Sequence, residues 1–588
     1  MTPSLMPAQR LRPAAHDTRR SPRAALAWLS LLLVGLIGCQ SVPEAELLFR
    51  GGQVLSMEDD APAAEALAVA DGRILWLGAE ADAQAWIGPD TEIVELAGRT
   101  LLPGFADSHL HLRGVANQLA ELDLTGVASY QELVRRVREA AERLPPGTWI
   151  LGRGWDQNDW PDTRLPHHAA LSAVTPDHPV ALRRIDGHAL LANAVALRAA
   201  DLNAQSVDPS GGRLLRDAEG QLSGVLVDSA MAPVGRQIPA QTEAEIRRRL
   251  AAAFPVLHAY GLTSVHDAGV SFDDADRFAR LDRDGAFPLR AHLMIRAGAF
   301  DLEQPERNPA PRHDLTGSGR VQMRAIKAMS DGALGSRGAA LLQPYSDEPE
   351  VDGLVITSPE RVEALARFAL RYGWQLCTHA IGDHANRFVL DAYERALADA
   401  PAKDPRLRIE HAQILHPDDL PRFAELGVLP SMQAQHQTSD APWAVERLGE
   451  ERTRLAYAWR SLVDSGVRIP GGSDAPVEVP DPLLAFHAAV TRRDVHGEPP
   501  GGWHPEQRLT RTEALKHLTS WPAYAAFREH ELGSLAPGKL ADLVVLSGDP
   551  LRTPDDELLD LRVDLTVFEG RIVFERNEPT DTATTVAP

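Results

Sequence analysis

The strongest chemical signal in the chain is the run Pro103-Gly104-Phe105-Ala106-Asp107-Ser108-His109-Leu110-His111, in which two histidines stand at i and i+2. In an extended segment those side chains share one face, so both imidazoles can reach one cation. Four more ligand-type residues end later apolar, β-rich runs: Lys327, His379, His411 and Asp474. Each has an ordinary alternative. Lys327 reads equally as a solvated charge, His379 and His411 as hydrogen-bonded core histidines, and Asp474 as the cap of a following helix. Taken together they point to a common partner. Burying several such groups unpaired costs several kcal/mol each, and a metal cluster satisfies them all.

The elements that must position these residues alternate short apolar runs with longer Ala/Leu/Arg-rich stretches, the pattern of βα units. Eight candidate strands follow: Leu101 to His109, Leu262 to Ala268, Leu289 to Arg296, Arg324 to Ser330, Gln375 to Ala380, Leu407 to Ala412, Val428 to Gln433 and Ile469 to Asp474. The predicted fold class is therefore α/β, a (β/α)8 barrel, whose strand ends converge on one pocket. About 150 residues separate the first two strands, far more than one crossover helix needs. Residues 113–260 are thus expected to form an insertion, and its Trp, Gly and Pro content around Gly152 to Asp156 suggests that it covers the barrel mouth.

Short β-type runs flank this centre, at 46–50, 66–70, 73–78 and 91–95 and again at 542–546, 565–568 and 571–574. They predict one small β-sandwich domain built from 39–102 and 529–576, beside a barrel spanning 103–528. The Thr- and Pro-rich tail at 577–588 lacks an apolar period and reads as disordered.

Seven motifs, LLPGFADSHLHLRG, RRIDGHALLAN, IKAMSDGALGSRGAAL, THAIGDHA, RIEHAQ, GGSDAPV and GSLAPGKLADLVVL, run from one end of this region to the other. Over roughly 46–576 the chain resembles the amidohydrolase superfamily, and within it the branch of the YtcJ-like proteins and N-substituted formamide deformylases. The resemblance implies a metal site of His109, His111, Lys327, His379, His411 and Asp474. Lys327 would carry a CO2-derived carbamate bridging two divalent ions, Zn2+ first, with Mn, Fe or Co as alternatives. His109, His111 and Asp474 would hold the more buried ion, and His379 and His411 the more exposed one. A metal-bridging hydroxide would then be available, because bound cations lower the pKa of water from about 15.7 toward about 7. Asp474 would take the proton and deliver it to the leaving amine. His188, in the insertion, would polarise the scissile carbonyl or contact substrate, with a structural loop histidine as its alternative. Arg337 would meet a substrate carboxylate or simply pair with an acid. The implied activity is hydrolysis of amide or related C–N bonds. Two other functions are open: a mononuclear deacetylase or deaminase, and a non-catalytic periplasmic binding lipoprotein.

The 588 residues are 44% hydrophobic and 24% charged, an ordinary globular composition. At the start, Arg19, Arg20 and Arg23 precede an apolar run from Ala24 to Gly38 that is too short to span a bilayer stably, so 1–38 reads as a signal peptide. The run ends in Leu36-Ile37-Gly38-Cys39, which resembles a bacterial lipobox and implies cleavage before Cys39 and its lipidation. Gln40 at the next position implies sorting to the periplasmic face of the outer membrane. The formal charge is −22, and −26 from Cys39 onward because the leader carries five arginines and one aspartate. Such a surface repels nucleic acid. Partners reduce to a small-molecule substrate and the membrane through the lipid anchor, with a homodimer left open. Cys39 and Cys377 are the only cysteines, so lipidation of the first excludes an intrachain disulfide.

Overall fold

The computed structural model describes residues 44–59 and 63–576; Cys39 with its lipobox and the 577–588 tail lie outside the described residues. Seven parallel strands curve around one axis in sequential order. They are β1 (Phe105–Leu110), β2 (Leu262–Val270), β3 (Arg290–Arg296), β4 (Val321–Met329), β5 (Gln375–Ala380), β6 (Arg408–His411) and β7 (Leu429–Ser431). Residues 469–474 fill the gap between β7 and β1 without forming a regular strand. On one side the Ser108 amide donates to Gly471 O (2.8 Å) and the Asp474 amide to His109 O (2.6 Å); on the other, Met432 donates to Pro470 O (3.1 Å). Each stave is amide-paired to its neighbour, which brings the C-terminal strand ends, and every residue they carry, to one rim.

The first predicted strand needs correction. Residues 101–109 do not form one strand: Thr100–Pro103 pairs antiparallel with Leu543–Leu546, while β1 starts at Phe105 and enters the barrel. Gly104 is the joint. A Cβ there would sit 2.4 Å from Thr263 Oγ1, so the chain passes from one sheet to the other where β2 leaves no room for a side chain. An unbroken apolar run cannot signal this change of sheet.

The two chain ends therefore meet. A five-stranded sheet combines Gln53–Val54 and Thr100–Pro103 with Leu543–Leu546, Val563–Phe568 and Arg571–Glu575, and a four-stranded sheet is made from 47–95. Leu47, Phe49 and Leu67 of one sheet share a buried cluster with Leu101, Leu543 and Val567 of the other.

Between β1 and β2 the chain builds a six-stranded sheet from Leu122–Asp123 to Leu222–Asp228. Helix Tyr130–Ala141 packs Leu133, Val134 and Val137 into the core on one face of this sheet. The helix starts where the Ser129 side chain accepts from the Glu132 amide, satisfying one of the first-turn N–H groups. Leu190, Leu214, Leu222 and Leu226 form a second core cluster in the same sheet.

The barrel interior is unusually polar for a layer normally filled by Val, Ile and Leu. Arg408, Glu410, His266, His292, Gln322 and Gln375 are all buried along its axis. Arg408 donates from Nη2 to Glu410 Oε2 (2.9 Å) and its Nη1 pairs with His266 Nδ1 (3.0 Å), while Gln322 Nε2 pairs with His292 Nδ1 (2.7 Å). No helix among the described residues is long and apolar enough to cross a membrane.

Candidate metal centre

The strand ends bring all six sequence-predicted ligand residues together. His109 and His111 lie at and just beyond the end of β1, and Asp474 Oδ1 is 3.6 Å from His109 Nε2 and 3.0 Å from His111 Nε2. Lys327 Nζ is 2.9 Å from His109 Nε2. The His411 ring centre stands 4.8 Å from that of His109 and 4.5 Å from that of His379. Backbone strain marks the same places: His411 has φ 77° and Asp474 φ 57°, left-handed values that cost a non-glycine residue about 1–3 kcal/mol. Such strain persists where surrounding bonds over-determine it, as the Asp474 amide bond to His109 O does here.

Exposure differs among these histidines. His379 and His411 are only 2% and 3% exposed, whereas the His111 side chain is 42% exposed. His109 is fully buried, so His111 is the most open of the four histidines.

The donor set fits a cation. His109 Nδ1 donates to Glu410 Oε2 (2.5 Å), which leaves Nε2 as a lone pair aimed at Asp474. His411 Nδ1 likewise faces Gln433 Oε1 (2.7 Å). Asp474 Oδ1 is buried with no hydrogen-bond partner among the described residues. Lys327 Nζ is the donor beside His109 Nε2, but the Asp474 oxygen facing both imidazoles has no donor of its own among the described residues, and a cation between these acceptors would relieve their repulsion. Ligand atoms of His109, His111 and Asp474 lie within 4.8 Å of one another, as do those of His411, His436 and Asp474.

Protonation agrees with this reading. Burial, helped by the Lys327 ammonium, lowers His109 to about 4, leaving it neutral at physiological pH. Burial likewise pushes His379 and His411 well below the usual imidazole range. It would raise Asp474, but His109, His111 and His436 outweigh it and hold the carboxylate ionised. Burial also lowers Lys327, favouring the neutral amine.

Sequence reasoning missed the groups that hold these ligands. Glu410 stands between His109 and Arg408; burial would raise it, and Arg408 foremost holds it well below the usual carboxylate range. Asp107 accepts from the His109 amide (3.0 Å) and from Ser473 Oγ (2.5 Å), tying β1 to the Asp474 loop. Asp331 accepts from the amides of Ala340, Ile381 and Gly382 and lies 3.4 Å from His379 Nε2; burial raises it to about 7. His436, on helix Ala434–Leu448, places Nε2 3.7 Å from Asp474 Oδ2 and Nδ1 3.3 Å from Glu478. Its position directly after a candidate strand was the available signal.

A cavity of about 840 Å³ opens over the cluster, lined by the predicted ligands and by the insertion. His188 lines it, with its ring 5.3 Å from that of His379 and Nδ1 bonded to Asp228 (2.5 Å). Burial would lower His188, but Asp228 dominates and raises it to about 9. Arg337 is placed differently from its substrate-binding expectation. It is absent from the cavity wall and pairs with Asp347 (2.9 Å) and Glu348 (3.2 Å), so its acid-pairing alternative describes it.

A family model described as the amidohydrolase family matches residues 92–574. The chain belongs to the amidohydrolase family. As a member of it the protein is a hydrolase, consistent with its candidate metal-ligand cluster at the rim of a barrel. YtcJ of Bacillus subtilis (strain 168) is 34% identical over 540 residues, covering 90% of this chain and 99% of that protein. The N-substituted formamide deformylase of Arthrobacter pascens is 30% identical over 551 residues, covering 90% and 98%. Among solved structures, an uncharacterized metal-dependent hydrolase from Pyrococcus horikoshii OT3 is 27% identical with a TM-score of 0.69, covering 87% of this amidohydrolase and 99% of that chain.

Proposed function

We propose that this amidohydrolase cleaves amide or closely related C–N bonds with two divalent ions, Zn2+ first, held by His109, His111, His379, His411, Asp474 and a carbamate on Lys327. The observation that carries the reading is the convergence of His109 Nε2 and His111 Nε2 on an Asp474 oxygen that is buried and has no hydrogen-bond partner. The formamide deformylase supports the bond class through its similarity over nearly its whole length. The neutral Lys327 amine favoured by burial is the form that adds CO2.

The ions, when bound, supply a water acidified toward neutral pH and a positive field for the oxygen of the scissile carbonyl. The chain's own groups do the rest. Asp474, kept ionised, takes a proton on a carboxylate oxygen and passes it to the departing nitrogen. His436 and Glu478 fix the orientation of that carboxylate from behind. His188, charged and anchored at Nδ1 by Asp228, presents Nε2 to the carbonyl oxygen. The insertion limits water to the cavity over the rim.

The two terminal sheets we read as one β-sandwich domain of 39–102 and 529–576. Cys39 we read as a lipidated residue that anchors the mature chain at the periplasmic face of the outer membrane.

The test is release of amine from N-formyl, N-acetyl and cyclic amides by metal-loaded wild type and Asp474→Asn. The carboxamide keeps the size but loses the base, so turnover should fall roughly 10²-fold or more at equal metal content. Equal turnover by the variant refutes the mechanism.

A further inference from the structure

We infer that the substrate carries a carboxylate, bound by Arg153 and Arg183 of the inserted sheet at the wall of the catalytic cavity. The inference rests on the amide-hydrolase reading for the bond cleaved, and on the cavity wall for the rest.

Arg153 lies on Ile150–Trp155 and Arg183 on Val180–Arg184, neighbouring parallel strands on which the two are register partners. Both line the cavity, as do Leu151 and Ala181 two residues before them, the period of one sheet face. Like charges directly opposite one another destabilise a sheet. Nothing in the protein neutralises this pair at contact range: among the described residues, neither arginine has a carboxylate oxygen within 4.0 Å.

The nearby acids are engaged elsewhere. Asp186 pairs with Arg184 (2.7 Å), Asp228 with His188 (2.5 Å), and Asp123 turns to the Thr125 amide (2.9 Å). Glu121 lines the same cavity without an ion pair, and burial raises its carboxyl. One such group cannot balance two guanidinium charges.

The guanidinium of Arg153 is held in place by main-chain oxygens. Its Nε donates to Pro476 O (3.1 Å) and its Nη2 to Ile185 O (2.8 Å), while Nη1 has no hydrogen-bond partner among the described residues. Among the described residues Arg183 donates only to Gly187 O (3.2 Å). A preset planar fork beside a second one is the arrangement that recognises a carboxylate. Pro476 stands two residues beyond Asp474, so the pair is one short loop from the metal cluster. The substrate class is therefore an amide with a free carboxylate near the bond to be cleaved, as in an N-acylated amino acid.

Two measurements on the metal-loaded protein test this. Calorimetry compares 3-phenylpropanoate with uncharged 3-phenylpropan-1-ol, and kinetics compare N-acetylphenylalanine with its primary carboxamide. Wild type should prefer the carboxylate in each pair by about tenfold or more. Arg183→Gln should abolish most of that preference, and Arg183→Lys should restore part of it, since it returns charge without the fork. Equal treatment of each pair by wild type, or a preference unchanged in Arg183→Gln, overturns the inference even if amides are cleaved. Arg183-dependent binding of 3-phenylpropanoate without any amide cleavage upholds the anion site and removes the hydrolase reading instead.

Discussion

Replacing Glu410 by Gln should damage stability and metal binding together, and the structure indicates how much. Glu410, Arg408 and His109 all have fully buried side chains. The Glu410 carboxylate faces Arg408 Nε at 2.7 Å and accepts from His109 Nδ1 at 2.5 Å. An amide in its place leaves the Arg408 charge with only Ser108 O (2.8 Å), Ser431 Oγ (2.9 Å) and His266 Nδ1 (3.0 Å). Breaking a buried pair from one side costs about 3–5 kcal/mol. With an unfolding entropy of about 2.1 cal/mol/K per residue, a chain this size loses about 2–4 °C in Tm. His109 also loses the anion that fixes its tautomer, and loss of such a partner lowers metal affinity about 10–100-fold. Because Glu410 is held below its ordinary pKa in the folded state, its contribution is present above the ordinary carboxylate range and fades as pH falls below it. Scanning calorimetry with and without chelator, combined with competition against a metal indicator, reads both effects. The double variant Arg408→Met/Glu410→Met should recover much of the Tm, since no charge is left buried alone, but not the affinity. Wild-type Tm and wild-type affinity in Glu410→Gln refute the reasoning.

The His188 pair sets a pH limit. Asp228 raises His188 to about 9, so its charged form, and the stability it adds, is complete below the ordinary value near 6.5 and lost as pH rises through about 9. Turnover should show an alkaline limb near pH 9 that moves down toward about 6.5 in Asp228→Asn; a limb that stays in place excludes His188 as the charged donor. Cys39→Ser should move the protein from the membrane fraction to the soluble periplasm on cell fractionation, and unchanged membrane retention contradicts lipid anchoring.

The convergence of the six candidate residues was legible because it shows twice in the sequence, by residue type and by place. His109, His111, Lys327, His379, His411 and Asp474 each end an apolar run, and parallel strands with short connections bring such ends to one rim. The groups behind them were not legible. Arg408 and Glu410, at i and i+2 of one strand, share a face, but nothing in a one-dimensional pattern shows that this face turns into the barrel beneath His109. His436 follows a candidate strand by three residues, but it falls inside a helix, where its spacing does not say that it turns toward Asp474. The break at Gly104 was hidden because both halves of 101–109 are buried, one against each sheet. Arg337 was placed by motif alone, and its actual partners, Asp347 and Glu348, lie in a loop with no regular period. The arginine pair at 153 and 183 emerges only once the strand register of the insertion is known.

The account turns on a pair of ions at the barrel rim, and elemental analysis of the purified protein by plasma mass spectrometry measures that most directly. It predicts about two divalent ions per chain, falling to about one in Lys327→Ala as the bridging position is lost. A reproducible content of one ion in wild type, unchanged in Lys327→Ala, would contradict it.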